Sequence, residues 1–211
     1  MTASPPATDA VAFPAANPYV GPRTFTYAER KFFFGREREA RDLGARVVSE
    51  RLLLFYAQSG AGKSSLLNTR VIPQLREEEG FAVLPVGRVS GDLPEGVTAV
   101  DNIYLFNLMA SIDQGDPARL AQVPLATFLG QLVSDDGETW QFDATADAEG
   151  AATGHRYILI IDQFEEIVTA HPERWSERSE FFRQLNQVLR KNLDLWVLLT
   201  LREDYIANLD P

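Results

Sequence analysis

The chain contains no cysteine, which excludes a disulfide framework, a thiolate metal site and a cysteine nucleophile together. It has only two histidines, His155 and His171, both in loop-like segments without a partner at metal-ligand spacing, so neither marks a site. No apolar run approaches the length of a bilayer span. The start, Met1-Thr2-Ala3-Ser4-Pro5-Pro6, has neither a basic stretch nor a hydrophobic segment and does not read as a secretory signal. Basic charge is also scarce: 20 Lys and Arg stand against 30 Asp and Glu, for a net charge of −10, and the cations are scattered. That balance argues against general binding to nucleic acid or to an anionic membrane. The expectation is a soluble, cytoplasmic protein.

What is present suffices for one α/β domain. A chain of 211 residues with 45% hydrophobic content can bury a sizeable core, and no second domain is evident. Residues 1–16 are rich in Ala and Pro and carry no periodicity, which predicts a disordered tail. Thr26-Tyr27-Ala28-Glu29 has capping-box spacing and opens a short helix through Phe33, ended by Gly35. A second helix is expected from Arg36 to about Ser49, with Leu43, Val47 and Val48 inward.

The first strand is expected at 52–56, and a helix from Lys63 that Pro73 disturbs. Residues 81–86 read as a strand whose Pro85 suits a sheet edge. Residues 102–112 are apolar at helical spacing, and a further helix is expected around 118–133. From Ser134 to Gly154 the chain turns acidic and Gly/Ala-rich, which predicts a mobile insertion with a hairpin near Thr139–Phe142. The continuous apolar runs 157–161 and 195–199 predict strands buried on both faces, as in a parallel sheet between helix layers. The helix joining them spans about 178–192, with Phe181, Phe182, Leu185, Val188 and Leu189 inward.

The segment Ala57-Gln58-Ser59-Gly60-Ala61-Gly62-Lys63-Ser64 lies between the first strand and the Lys63 helix, followed by Ser65. Its spacing is that of G-x-x-x-x-G-K-[ST], with Ala57 in place of the first glycine. Small residues let a tight turn aim consecutive backbone N–H groups at an anion, and the helix N-terminus adds unpaired donors and the positive end of its dipole. In this reading Lys63 reaches the β- and γ-phosphates, the Ser64 hydroxyl is a magnesium ligand, and Ser65 caps or packs locally. Alanine is the smallest alternative to glycine, so crowding at Ala57 is modest if φ stays negative.

A second acidic site would decide what happens to the nucleotide. Asp162 ends the 157–161 strand, on the sheet edge where open α/β sheets bind ligands, and so is placed to hold magnesium through its water shell. Gln163, Glu165 and Glu166 follow, and one of them would orient the attacking water. The plainer alternative for Glu165 and Glu166 is solvent-facing glutamates in a first helical turn. Arg202 ends the last strand and would sense the γ-phosphate through its forked donors, or else form a surface pair with Glu203 or Asp204.

These motifs occur in a fixed order: Asn17-Pro18-Tyr19-x-Gly21-x-x-x-Phe25, Phe32-Phe33-Phe34-Gly35-Arg36-Glu37, the loop at 57–64, Asp162-Gln163-Phe164-Glu165-Glu166, and Thr200-Leu201-Arg202. The set, spanning 17 to about 205, resembles the STAND-class P-loop NTPases, signal-transduction relatives of the AAA+ group and of immune receptors, and more narrowly the bacterial novel STAND class. The resemblance implies a three-layer sandwich with a mostly parallel sheet in the AAA+ strand order, lacking its last strand. It implies ATP or ADP with Mg2+, and an adenine covered by Asn17, Pro18, Tyr19, Gly35, Arg36 and Glu37. The residues themselves read Phe32–Phe34 as core aromatics and Arg36 as a helix-surface charge. The absence of an N-K-x-D segment agrees with adenine over guanine. The family further implies a slow ATPase switch within a longer signalling or defence protein that carries a C-terminal lid, sensor or effector domains, with a nucleotide-dependent homo-oligomer as one outcome. A non-hydrolysing, nucleotide-dependent interaction module is the competing reading, favoured by Gln163 and Ala57. A small-molecule kinase fits less well, because 113–154 is acidic where an arginine-rich lid would be needed.

Overall fold

The apolar runs of the sequence become the long strands of one sheet in the computed structural model, which describes residues 21, 23–146, 156–191 and 194–209. The elements in chain order are a 3-10 helix Tyr27–Phe32, α1 Glu37–Ser49, β1 Leu52–Ala57, α2 Lys63–Leu66, a π-helical turn Leu67–Val71, α3 Ile72–Glu77 and β2 Phe81–Val83. Then follow α4 Ile103–Ile112, α5 Leu125–Gly130, β3 Leu132–Val133, β4 Gln141–Phe142, β5 Arg156–Ile161, α6 Glu166–Thr169, α7 Glu177–Lys191 and β6 Leu195–Arg202. The expected tail at 1–16, the segment Asn17–Tyr19 and residues 147–154 of the acidic insertion lie outside the described residues.

The central sheet has the spatial order β1-β6-β5-β2, and all three pairings are parallel. Side chains alternate across it, as the strand period requires. Ile158, Ile160 and Leu198 face one way, against Leu43 and Val47 of α1 and Leu66, Val71 and Leu75 of the helix after the phosphate loop. Leu159, Ile161, Val197, Leu199 and Leu201 face the other way, against α4, α5 and α7. The result is the expected three-layer α/β sandwich with a parallel sheet. Among the described residues no helix is long and apolar enough to cross a membrane.

Several local expectations are corrected by competing physics. Pro73 disturbs its helix, as expected, without ending it. Proline has no N–H to offer the fourth carbonyl back, and the turn just before it is wound wide, with Ile72 N–H bonding Leu67 O five residues back, so the rod continues to Glu77. The helix expected at 118–133 is broken by Pro124 into a 3-10 turn Pro117–Leu120 and α5, after which Leu132 and Val133 pair antiparallel with Phe142 and Gln141. Phe182 points outward at 39% exposure, where the helical pattern placed it inward. Phe34 is 72% exposed, so it is not a core aromatic, whereas Phe33 packs on the core edge. α4 is buried nearly all round rather than on one stripe.

One stretch carries the fold directly to the site. β2 is an edge strand, and beyond it the ladder to β5 continues around Pro85, with Leu84 N–H bonding Ile158 O at 3.1 Å and Gly87 N–H bonding Ile160 O at 2.8 Å. Gly87 is held so close to α4 that a Cβ there would lie 2.4 Å from Leu108 Cδ1. Leu108 is fully buried and has little room to yield. Gly87→Ala is therefore expected to lower the unfolding free energy by about 1–3 kcal/mol, as overpacking does. Urea denaturation beside the wild type measures this directly, and an unchanged midpoint would mean that Leu108 rotates freely.

Candidate functional site

Because every strand of the central sheet is parallel, all their C-terminal ends open on one edge, and the chemistry found along the sequence gathers there. The phosphate loop leaves β1 and turns through Gly60 and Gly62, whose φ angles of 75° and 77° are left-handed values that suit glycine. Gly62 caps the helix that starts at Lys63, so the first backbone N–H groups of that helix have no partner within it. Lys63 Nζ lies over the loop and donates to the carbonyls of Ala57 at 3.0 Å and Gln58 at 3.3 Å.

Asp162 sits opposite, only 3% exposed. Its Oδ2 accepts from the Ser64 hydroxyl at 2.6 Å, and its Oδ1 accepts from the hydroxyl of Thr200, which is fully buried. Its backbone is fixed from both sides: Asp162 N–H bonds Gly87 O at 3.0 Å, and Phe164 N–H bonds Thr200 O at 2.7 Å. Gln163, between them, takes a left-handed φ of 56°, the only positive φ at a non-glycine among the described residues.

A cleft of about 720 Å³ lies between the loop and Asp162, lined by Ser59 to Ser65, Asp162, Gln163, Glu165 and Arg202 on one side and by Gly21, Arg23, Thr24, Phe25 and Phe33 on the other. The two adjacent glutamates separate here. Glu165 lines the cleft and accepts from the Arg202 backbone N–H at 3.2 Å. Glu166 is absent from that lining and instead accepts from the Ser90 hydroxyl, with Arg88 Nη1 at 3.8 Å. The Arg202 side chain pairs with Asp204 and lies over Tyr205, as the surface-pair alternative anticipated, while still lining the cleft. The Arg202 guanidinium hydrogen bond holds the Asp204 carboxyl below the usual carboxylate range.

The far wall is a strap tied to the phosphate helix. Phe25 N–H donates to Ser65 Oγ at 3.1 Å, Asn68 reaches Phe25 O at 3.4 Å, and Arg70 donates to Phe33 O at 2.6 Å. Within the strap, Arg23 grips Glu29, whose carboxylate also accepts from Thr26 N–H and the Thr26 hydroxyl. Those bonds, the one from Arg23 foremost, bring the Glu29 pKa down to about 2, so this carboxylate stays charged as the pH falls through the ordinary carboxylate range.

Gly35, Arg36 and Glu37 do not line the cleft. Arg36 donates to the loop carbonyl of Ala61 at 3.0 Å, and Glu37 pairs with Arg70. Asn17, Pro18 and Tyr19 lie outside the described residues. Arg23, Thr24 and Arg88 were not singled out by the sequence reading. Arg23 stands two residues before Phe25 of the N-terminal motif, and Arg88 stands just beyond the second strand on the ligand-binding edge, which is where either could have been sought.

The family model described as Novel STAND NTPase 1 matches residues 18–211. No curated protein matches the chain. The matched span takes in every element of the cleft described above.

Thr200 gives the site its most direct stability test. Thr200→Val keeps the shape but strips Asp162 of a hydrogen bond in a place water does not reach, which is expected to cost about 1.5–3 kcal/mol. Thermal unfolding should show the loss, roughly 2–4 °C per kcal/mol for a chain of this size, and Thr200→Ser should recover most of it.

Proposed function

Because the chain belongs to the novel STAND NTPase 1 family, a class of nucleotide-binding regulatory domains, we propose that its cleft binds ATP with magnesium, hydrolyses it slowly, and holds a longer signalling or defence protein in one of two states according to the nucleotide bound. The observation that carries this reading is the 2.6 Å contact between the Ser64 hydroxyl and the Asp162 carboxylate at the mouth of the phosphate loop. Two oxygen donors of this kind, one at the start of the loop-fed helix and one at the end of a neighbouring strand, suit a hard divalent cation that travels with phosphates. Such a cation, when bound, neutralises charge on the phosphate oxygens. Among the described residues no cluster of three or more His, Asp or Glu gathers as a metal site of its own, which fits a cation shared with a nucleotide.

The chain's own residues then divide the work. The loop N–H groups from Gly60 to Ser65 cradle the phosphates, and Lys63 exchanges the carbonyls of Ala57 and Gln58 for phosphate oxygens. Glu165, which faces the cleft, orients the water that attacks the γ-phosphorus as its bond to the β-phosphate oxygen breaks. Glu166 is committed to Ser90 and Arg88 and holds the loop in shape. Arg202 leaves Asp204 to meet the γ-phosphate and so reports its presence to the chain that follows. The base lies against the strap of Arg23, Thr24, Phe25 and Phe33, with Arg36 steadying the loop from behind through the carbonyl of Ala61.

A second reading, a domain that binds ATP or ADP without turnover, is favoured by one specific observation. The side-chain carbonyl of Gln163 is taken by Arg88, which removes it as a group that could orient an attacking water. Phosphate release from ATP by the full-length protein separates the two. The switch reading expects Glu165→Gln to lower turnover by about 100-fold or more, the range a positioned base contributes, and Glu166→Gln to lower it by less than about tenfold. No phosphate release by the wild type under any activating condition would leave the binding module as the answer.

A further inference from the structure

The acidic loop 162–166 carries three carboxylates, with Asp162 and Glu165 on a cleft that would also receive the negative charge of a nucleotide and Glu166 turned from it toward Ser90. Arg88 is the cation placed among them. Its Nη1 donates to Gln163 Oε1 and lies 3.8 Å from Glu166 Oε1, while its Nη2 lies 3.7 Å from Asp162 Oδ2, the oxygen that also holds Ser64. The Arg88 side chain is 38% exposed, so it is not there to fill a core.

Its backbone is anchored on two sides. Arg88 N–H donates to Ser111 Oγ of α4 at 2.9 Å, Asn107 of the same helix reaches Gly91 O at 3.0 Å, and Gly87 O accepts Asp162 N–H. The platform 87–91 is thereby fixed both to the helix layer and to the loop it serves, and its next polar side chain, Ser90, takes Glu166. The guanidinium suits this task, since its forked donors address separate acceptors at once.

We propose that Arg88 is a positioning residue for the loop 162–166 and a standing counter-ion for Asp162, which makes nucleotide binding partly independent of magnesium. The inference rests on the nucleotide-binding reading above. Arg88 holds Gln163 in its left-handed conformation and keeps Glu166 turned from the cleft, so that Glu165 alone faces it. It also offsets the carboxylate charge that would otherwise repel a triphosphate arriving without its cation. Where magnesium is present, the cation takes over that second task at Asp162, and Arg88 is needed only for shape.

The test is equilibrium binding of a fluorescent ATP analogue to the full chain in excess magnesium and in EDTA, for the wild type, Lys63→Ala, Arg88→Ala and Arg88→Lys, each checked for wild-type circular dichroism. Arg88→Ala is expected to lose about tenfold in affinity in EDTA, equivalent to roughly one unit of charge acting through a partly solvated site, and less than about threefold in magnesium. Arg88→Lys keeps the charge but loses the forked donors, so it isolates the counter-ion role, and its affinity should stay within about threefold of the wild type in both buffers. A purely structural role would lower affinity alike in the two buffers. Equal loss in both, or loss in neither, overturns the assignment of Arg88 while leaving the nucleotide reading intact. Wild type that binds in neither buffer, or binds as well without Lys63, removes the nucleotide reading itself and the assignment with it.

Discussion

A carboxylate kept from water has to be answered by donors, and the arrangement of this domain follows from how Asp162 is answered. One oxygen takes the Thr200 hydroxyl from the neighbouring strand, and the other takes the Ser64 hydroxyl from the phosphate loop. Those bonds tie β6, β5 and the start of α2 together at the sheet's ligand edge. The parallel sheet makes the arrangement possible, because only strands running the same way deliver Ala57, Gly87, Asp162 and Arg202 to one edge. Ser64 and Asp162, brought together at this edge, are the two oxygen groups that would hold a divalent cation arriving with phosphates.

The edge is stiff on one side and tethered on the other. On the β2 side, Gly87 to Gly91 are pinned to α4 through Ser111 and Asn107, and through Arg88 and Ser90 they fix which glutamate faces the cleft. On the opposite side the strap from Arg23 to Phe33 hangs from the phosphate helix by Ser65, Asn68 and Arg70. Arg36 adds a bond to the loop carbonyl of Ala61. A shift of the phosphate loop on filling would therefore be felt directly by the strap and by the start of α1. This mechanical link needs no long-range pathway, because each step is one hydrogen bond between named groups.

The central sheet was legible because it is made of uninterrupted apolar runs, which have no other good home than a two-faced core. The loop at 57–64 was legible because phosphate chemistry restricts its residue types tightly. Elsewhere local rules met tertiary ones. Pro73 carries the signature of a helix end, yet the packed residues on either side, Leu66, Val71 and Leu75, keep the rod whole and one wide turn absorbs the missing N–H. The order of glutamates at 165 and 166 gives no hint of which faces the cleft, since that depends on Ser90 and Arg88, which are distant in sequence. Arg88 was invisible for the same reason. Its role is defined by the pairing of Gly87 with Ile161 rather than by any neighbour in the chain.

The proposal that the cleft is an adenine-nucleotide site built around Lys63 and the Ser64–Asp162 pair can be checked by isothermal titration of ATP into the purified chain with magnesium, beside Lys63→Ala and with GTP as competitor. An adenine-nucleotide site of this kind gives saturable binding in the wild type, loss of at least about 1.4 kcal/mol, a tenfold drop in affinity, in Lys63→Ala, and no displacement by GTP. Binding that survives Lys63→Ala unchanged, or that GTP displaces as readily as ATP does, would contradict it.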